Sequence, residues 1–228
     1  MYLKSLAGAL VALSLAACGG ASGRAELVPV EGDAFLGPAD AKVVVMEYGS
    51  PTCPACKNWH DQLFPDLKAE YIDTGKVKFV WREFAIHGAI DAGVFSIARC
   101  AGAKDFFPVL DEAFLRQQEI VEASMKGESI VALNALGEKF QLSPEQVKSC
   151  MSDKTIVRRI NDVGTDAQNK GINSTPTFVV DGVVMKANDW PSIKAAIDTA
   201  LSGGTVVEQA PPVIPGDDGH GHGPGETH

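Results

Sequence analysis

A strand, helix, strand pattern sets the strongest limit on how this chain can fold. Residues 42–48, KVVVMEY, form the continuous apolar run of a strand covered on both faces. Helical spacing follows over about 54–74, with an expected kink at Pro65, and KVKFVWREF then returns to strand character. Such a βαβ unit joins two parallel strands by a right-handed crossover. The sequence therefore predicts an α/β fold.

A second β-rich unit lies near the other end of the chain. The run TPTFVVDGVVMK contains Asp181-Gly182, a dipeptide typical of a type I′ hairpin turn. A helix follows, with Pro191 in its first turn and Gly203 as its stop. These two strands and this helix, a ββα unit, are predicted to share one mixed sheet with the first unit. Between the units, residues 89–171 contain amphipathic helical segments and are predicted to form an all-helical insertion.

The N-terminus indicates export. One cation, Lys4, precedes an apolar stretch at 6–17 that is too short to span a bilayer and is typical of a secretory signal. The sequence LAAC, ending at Cys18, matches a bacterial lipobox, which predicts cleavage before Cys18 and acylation of its sulfur. We therefore expect a lipoprotein anchored in the bacterial cell envelope, on the periplasmic side. The alternative is an ordinary signal peptide that contains a cysteine.

These patterns divide the chain into six segments. In order, they are a lipoprotein signal peptide at 1–17, a tether and linker at 18–41, the first part of the core domain at 42–88, the insertion at 89–171, the second part of the core at 172–203 and a disordered tail at 204–228.

The chain has five cysteines, and setting Cys18 aside leaves Cys53, Cys56, Cys100 and Cys150. Four cysteines allow three pairings, and an exported chain meets an oxidising compartment, so disulfides are expected. The net charge of -9, without a long basic run, argues against nucleic acid as a partner.

The motif Cys53-Pro54-Ala55-Cys56 lies where the first strand gives way to its helix. Free N–H groups and the dipole at a helix start favour a thiolate, whereas an ordinary cysteine is only about 3% ionised at neutral pH. We therefore predict that Cys53 is the attacking sulfur and that Cys56, one turn further, resolves a mixed disulfide. A metal site and a pair of buried structural thiols are the alternatives.

Three separated features of the chain together match the pattern of one known family. They are VVVMEYGSPTCPAC, the helical insertion and GINSTPTFVVDG, within a similarity covering about 36–201. With them the chain resembles the DsbA-like thiol-disulfide oxidoreductases, whose thioredoxin-like fold is split by a helical insertion. The resemblance implies a central mixed sheet and a redox activity that needs no cofactor.

The resemblance also implies roles for individual residues. The Thr175-Pro176 bond is expected to be cis, with the Thr175 backbone beside Cys53 and free to pair with an extended substrate; otherwise Pro176 is an edge or turn proline. Glu47 matches a buried acid that relays a proton to and from Cys56, and a solvated strand-end glutamate is the alternative.

Other positions carry weaker expectations. Cys100 and Cys150 are predicted on insertion helices, where some relatives carry a structural disulfide; free buried thiols are the alternative. Lys78, Arg82 and His87 are candidate partners of Glu47 or plain surface charges.

The resemblance favours an oxidase that exchanges the Cys53-Cys56 disulfide with cysteines of exported client proteins and is reoxidised by a membrane thiol oxidase. Strong oxidants of the family have Pro-His between the cysteines, so Pro54-Ala55 predicts a less oxidising site. A disulfide isomerase or reductase, a chaperone or anchor, and a metal-binding lipoprotein remain alternatives. The metal ligands would then include the tail histidines His220, His222 and His228.

Overall fold

The structure, a computed structural model, describes residues 27–207. The predicted signal peptide at 1–17, Cys18 and the three tail histidines lie outside the described residues.

A five-stranded mixed sheet forms the centre of the molecule. Its strands are β1 (Ala34–Leu36), β2 (Val43–Gly49), β3 (Val77–Glu83), β4 (Thr177–Val180) and β5 (Val183–Val184). They lie in the order β1-β3-β2-β4-β5, with β2 and β3 parallel and the other pairs antiparallel. The predicted mixed sheet of a βαβ and a ββα unit is therefore confirmed, and β2, which ends next to the CxxC motif, is its middle strand.

Nine α-helices lie within residues 27–207, and six of them follow one another between β3 and β4. They are α1 (Pro54–Gln62), α2 (Phe64–Leu67), α3 (Ala89–Ala101), α4 (Phe106–Leu115), α5 (Gln117–Met125), α6 (Ser129–Lys139), α7 (Pro144–Ser152), α8 (Lys154–Asn169) and α9 (Trp190–Leu201). Helices α3 to α8 make up the predicted insertion. Its chain reverses at positive φ angles at Gly102, Gly127 and Gln141, and Ser143 forms the predicted capping box at the start of α7.

The helix after the CxxC motif is interrupted near the predicted kink. It ends at Gln62, and a short helix carrying Pro65 in its first turn continues to Leu67. One π-helical turn, Lys68–Ile72, completes the crossover. Proline has no N–H to donate and its ring crowds the preceding turn, which explains the break.

A strand lies inside the segment that the sequence predicts to be linker. β1, residues Ala34–Leu36, pairs antiparallel with β3 at the edge of the sheet. With three residues, β1 is too short to show an alternating pattern, and its pairing with β3 is a tertiary contact. The expectation of a plain linker over 18–41 was wrong at this point.

The insertion and the sheet share one hydrophobic core. Trp81 of β3 packs edge-on against Phe114 of α4, with ring centroids 6.0 Å apart. A single cluster of buried side chains runs from β2 and α1 to the insertion helices and α9. The insertion therefore packs against the helix that carries the CxxC motif.

A disulfide links two helices of the insertion. Cys100, in the last turn of α3, is bonded to Cys150 of α7, and the two are 50 residues apart. In the chain-entropy model, closing a loop of that length contributes about 4 kcal/mol to stability.

Every helix within residues 27–207 is too short or too polar to cross a lipid bilayer.

Candidate active site

The two cysteines of the CxxC motif differ in depth. Cys53 is the N-cap of α1, and Pro54 occupies the first helical position, where its missing N–H leaves no bond unmade. Cys53 is 7% exposed and Cys56 is fully buried one turn further into the helix. Both are free thiols in this structure.

The loop before β4 meets the Cys53 sulfur. The Thr175-Pro176 peptide bond is cis, and Cys53 Sγ lies 3.3 Å from the carbonyl oxygen of Thr175. Asn188 Nδ2 donates to the carbonyl of Pro176 at 2.6 Å, and Trp59 Nε1 of α1 donates to the carbonyl of Asn188 at 2.8 Å. These two hydrogen bonds connect α1 to the loop that faces it.

Local hydrogen bonds favour the ionised form of Cys53. Its pKa is lowered from 9.0 to about 5, chiefly by a hydrogen bond from the Cys56 side chain. A hydrogen bond from the Thr175 side chain and the N–H groups of Ala55 and Cys56 lower the pKa further, against the opposing effect of burial. Cys53 is therefore a thiolate at neutral pH, in the form that attacks disulfides.

Cys56 has the opposite character. Burial raises the pKa of its thiol far above the ordinary value, and the hydrogen bond with Cys53 and the charge of Glu47 add to the rise. Ser50 N–H, in the loop that precedes the motif, donates to Cys56 Sγ at 3.5 Å. Cys56 therefore keeps its proton while Cys53 loses its own.

Glu47 lies beneath this pair in the middle strand of the sheet. It is 3% exposed and stands opposite Trp81 of β3 and Phe178 of β4. Burial raises the pKa of its carboxyl well above 4.5, and the Cys53 charge raises it further. The carboxyl thus lies close enough to influence both sulfurs electrostatically, and it has a raised proton affinity.

The three residues predicted as possible partners of Glu47 make other contacts. Arg82 is buried and forms ion pairs with Asp33 and Asp166. Lys78 lies over the ring of Phe35. His87 points its Nδ1 towards the hydroxyl of Thr52, at 2.9 Å.

The structure brings together the five residues predicted for the catalytic and substrate-binding site: Cys53, Cys56, Glu47, Thr175 and Pro176. Cys100 and Cys150 lie apart from them in the insertion. Two further residues contact the site: Ser50 donates its backbone N–H to Cys56 Sγ, and Asn188 donates its side-chain amide to the Pro176 carbonyl. The sequence did not predict these contacts, because backbone donors and loop amides follow no local pattern. Within residues 27–207 no group of three or more His, Cys, Asp or Glu side chains is placed to hold a metal ion.

Comparison with known proteins places the chain in a family. Residues 30–199 match the thioredoxin family model. A Rickettsia bellii protein, named as a protein-disulfide oxidoreductase, is 38% identical over 176 residues, which are 75% of this chain and 65% of that one. A Bacillus anthracis protein named for disulfide bond formation is 33% identical over 73% of this chain and 77% of its own.

Solved structures give the same grouping. Oxidised BdbD from Bacillus subtilis is 26% identical with a TM-score of 0.67, covering 77% of this chain and 96% of that one. The alpha-DsbA1 of Wolbachia pipientis shares the fold, with a TM-score of 0.69, 24% identity and coverage of 78% and 94%. The chain spans less than two thirds of the rickettsial relatives, at 65% of the Rickettsia bellii protein and 61% of that from Rickettsia conorii. On the family model and these identities, the chain belongs to the thioredoxin family, among its DsbA-like members.

Proposed function

We propose that this protein is a thiol-disulfide oxidoreductase that oxidises pairs of cysteines in exported proteins. The proposal rests on the different placement of the two sulfurs of one motif: Cys53 caps the start of α1 beside the Thr175 carbonyl, and Cys56 is fully buried one turn further. The pKa shifts, lowered for Cys53 and raised for Cys56, agree with these two roles. The names of the Rickettsia and Bacillus relatives, a protein-disulfide oxidoreductase and a disulfide bond formation protein, support it.

The reaction consists of two exchanges. In the oxidised protein, a client thiolate attacks Cys53 Sγ, a client–Cys53 disulfide forms, and the Cys53–Cys56 bond breaks with its electron pair on Cys56. The leaving Cys56 thiolate takes up a proton, for which Glu47 is the proposed donor. A second client thiolate then attacks the client sulfur, and Cys53 leaves as a thiolate. The client gains one disulfide, and the protein ends as a dithiol.

The Thr175 backbone is the proposed docking strand for the client. Its carbonyl oxygen is 3.3 Å from Cys53 Sγ, so an extended client segment paired with this backbone would bring its cysteine to the attacked sulfur. Thr175 itself is only half-buried. This arrangement recognises main chain rather than particular side chains, which suits a protein with many clients.

The ionisation of Cys53 favours the oxidising direction. A stabilised thiolate lowers the free energy of the reduced protein and makes its disulfide easier to reduce. The pKa of about 5 lies between about 3.5 for the strong oxidant DsbA and about 7 for thioredoxin. Ala55 supplies only its backbone N–H, whereas a histidine there would add an imidazole.

We therefore expect a reduction potential between those of the two reference proteins. The reduction potential of the Cys53–Cys56 pair should lie between about -270 mV and about -120 mV, closer to the less negative value. Equilibration of the full chain with glutathione redox buffers, followed by quantification of the two thiols, measures this potential. A value at or below that of thioredoxin would point to a reductase and contradict the oxidase assignment.

Export and anchoring are part of the same proposal. The signal-like start and the LAAC motif support cleavage before Cys18 and attachment to the bacterial envelope through lipid. A dithiol product has to be reoxidised, for which a membrane thiol oxidase is the proposed partner. Mass spectrometry of the mature N-terminus, with and without Cys18→Ala, tests the anchor.

A further inference from the structure

The loop 50–53 joins the middle strand β2 to the redox helix α1, and it ends at the reactive cysteine. It is buried: Ser50 is completely enclosed, and Thr52 and Cys53 are 5% and 7% exposed. Buried backbone groups need hydrogen-bond partners. For this loop several of those partners come from the helical insertion rather than from the sheet.

Asp91, in the first turn of α3, binds the loop from one side. Its side chain is completely buried. Oδ1 accepts from the hydroxyl of Ser50 at 3.0 Å, from the hydroxyl of Thr52 at 2.6 Å and from the Thr52 N–H at 3.3 Å. Oδ2 accepts from the N–H of His87 at 2.9 Å. One carboxylate thus accepts from two backbone N–H groups, of Thr52 and His87, and from two hydroxyl groups of the loop.

Gln117, at the start of α5, binds the same loop as a hydrogen-bond donor, whereas Asp91 binds it as an acceptor. Its Nε2 donates to the carbonyl of Pro51 at 2.9 Å and to the carbonyl of Cys53 at 3.0 Å. The residue is 8% exposed, so water does not easily replace it. Asp91 therefore accepts from the loop while Gln117 donates to it, and both belong to the insertion.

We propose that Asp91 and Gln117 are positioning residues which the helical insertion contributes to the redox site, holding the loop 50–53 in place between them. The insertion thereby adjusts the chemistry of Cys53 without touching its sulfur. The inference deepens the proposed function, on which it rests.

A displaced loop should raise the pKa of Cys53, because hydrogen bonds are sensitive to geometry. The Cys53 thiolate depends on donors from Cys56, Thr175 and the start of α1, and such bonds weaken steeply when their angles change. Without Gln117, the Pro51 carbonyl loses its donor and the Cys53 carbonyl is left with the Lys57 N–H of α1, so these two carbonyls are held less firmly. The N-cap residue moves with them.

The test compares two near-isosteric variants with a matched control. Gln117→Glu keeps the shape but loses the Nε2 donor, and Asp91→Asn replaces one accepting oxygen by a donor. Gln118→Glu is the control, because Gln118 is the next residue, is exposed, and bonds only to Glu122 within the described contacts. The readout is the pKa of Cys53, from the pH dependence of its alkylation in the reduced full chain, with thermal unfolding recorded in parallel.

We expect each of the first two changes to raise the pKa of Cys53 by about one unit, a tenfold loss of thiolate in the acidic range, with no shift in the control. If Gln117→Glu and Asp91→Asn lower the unfolding temperature but leave the pKa of Cys53 unchanged, the two residues are merely structural and the inference is wrong. An equal shift in Gln118→Glu would also overturn it. Because variants are compared with the parent chain, the result is independent of whether the protein oxidises clients.

Discussion

Cys56→Ser should accumulate a mixed disulfide between Cys53 and a client, whereas Cys53→Ser should form none. Cys53 is the ionised sulfur at the helix start, so it remains reactive when Cys56 is gone. Cys56 is fully buried and holds its proton, so it cannot replace Cys53 as the attacked sulfur. In the parent chain the adduct is short-lived, because an adjacent thiol attacks with a very high effective concentration.

The experiment starts from Cys56→Ser carrying glutathione on Cys53. A peptide with one cysteine is added, and the protein–peptide adduct is followed by mass spectrometry. We expect the adduct to outlive that of the parent chain by at least about 100-fold. Cys100 and Cys150 remain bonded to each other in both chains and serve as an internal control. If the Cys53→Ser chain formed adducts at a similar rate, the assignment of the two roles would be reversed.

Glu47→Gln should slow proton transfer at Cys56 while making the protein more stable at neutral pH. Loss of a positioned proton carrier typically costs about 100-fold or more in rate. The effect should appear in the formation and resolution of the mixed disulfide at pH 7, measured by rapid quenching. Glu128→Gln, an exposed glutamate in the insertion, is the control and should leave the rates unchanged.

The stability effect has a definite sign. Burial raises the pKa of Glu47 above 4.5, so the folded chain holds a proton that the unfolded chain releases once the pH exceeds that value. The parent chain therefore loses stability as the pH rises from about 4.5 through the folded pKa, and the glutamine variant does not. We expect the variant to unfold at a higher temperature at pH 7 and at the same temperature below pH 4.5. A variant that is less stable at pH 7 and equally fast would indicate that Glu47 is only a packing residue.

The parts of the fold that the sequence predicted are those encoded by local patterns. The apolar run of β2, the Asp181-Gly182 turn and the Ser143 capping box each have their own signature, and all three appear in the structure. β1 has no such signature, because its three residues become a strand only by pairing with β3. The interruption of the first helix was predicted at Pro65, but the π turn after it was not.

The residues of the site likewise fall into those predicted from a local pattern and those brought in by tertiary packing. Cys53 and Cys56 are adjacent in sequence and lie at a recognisable strand–helix junction, so their prediction needed only the motif and its position. Asp91 and Gln117 reach the same loop from 38 and 64 residues beyond Cys53, through packing of the insertion on the sheet. No spacing rule links such residues to a motif. Their contribution is visible only once the hydrogen bonds of the loop are counted.

The pKa of Cys53 in the reduced full chain tests most directly whether Cys53 is the ionised sulfur of the motif. Alkylation with a small thiol reagent is followed against pH, and labelled cysteines are identified by peptide mapping. We expect half-maximal reactivity near pH 5 at Cys53 and no labelling of Cys56 before unfolding. Half-maximal reactivity near the unshifted pKa of 9.0, or equal labelling of both cysteines, would contradict this assignment.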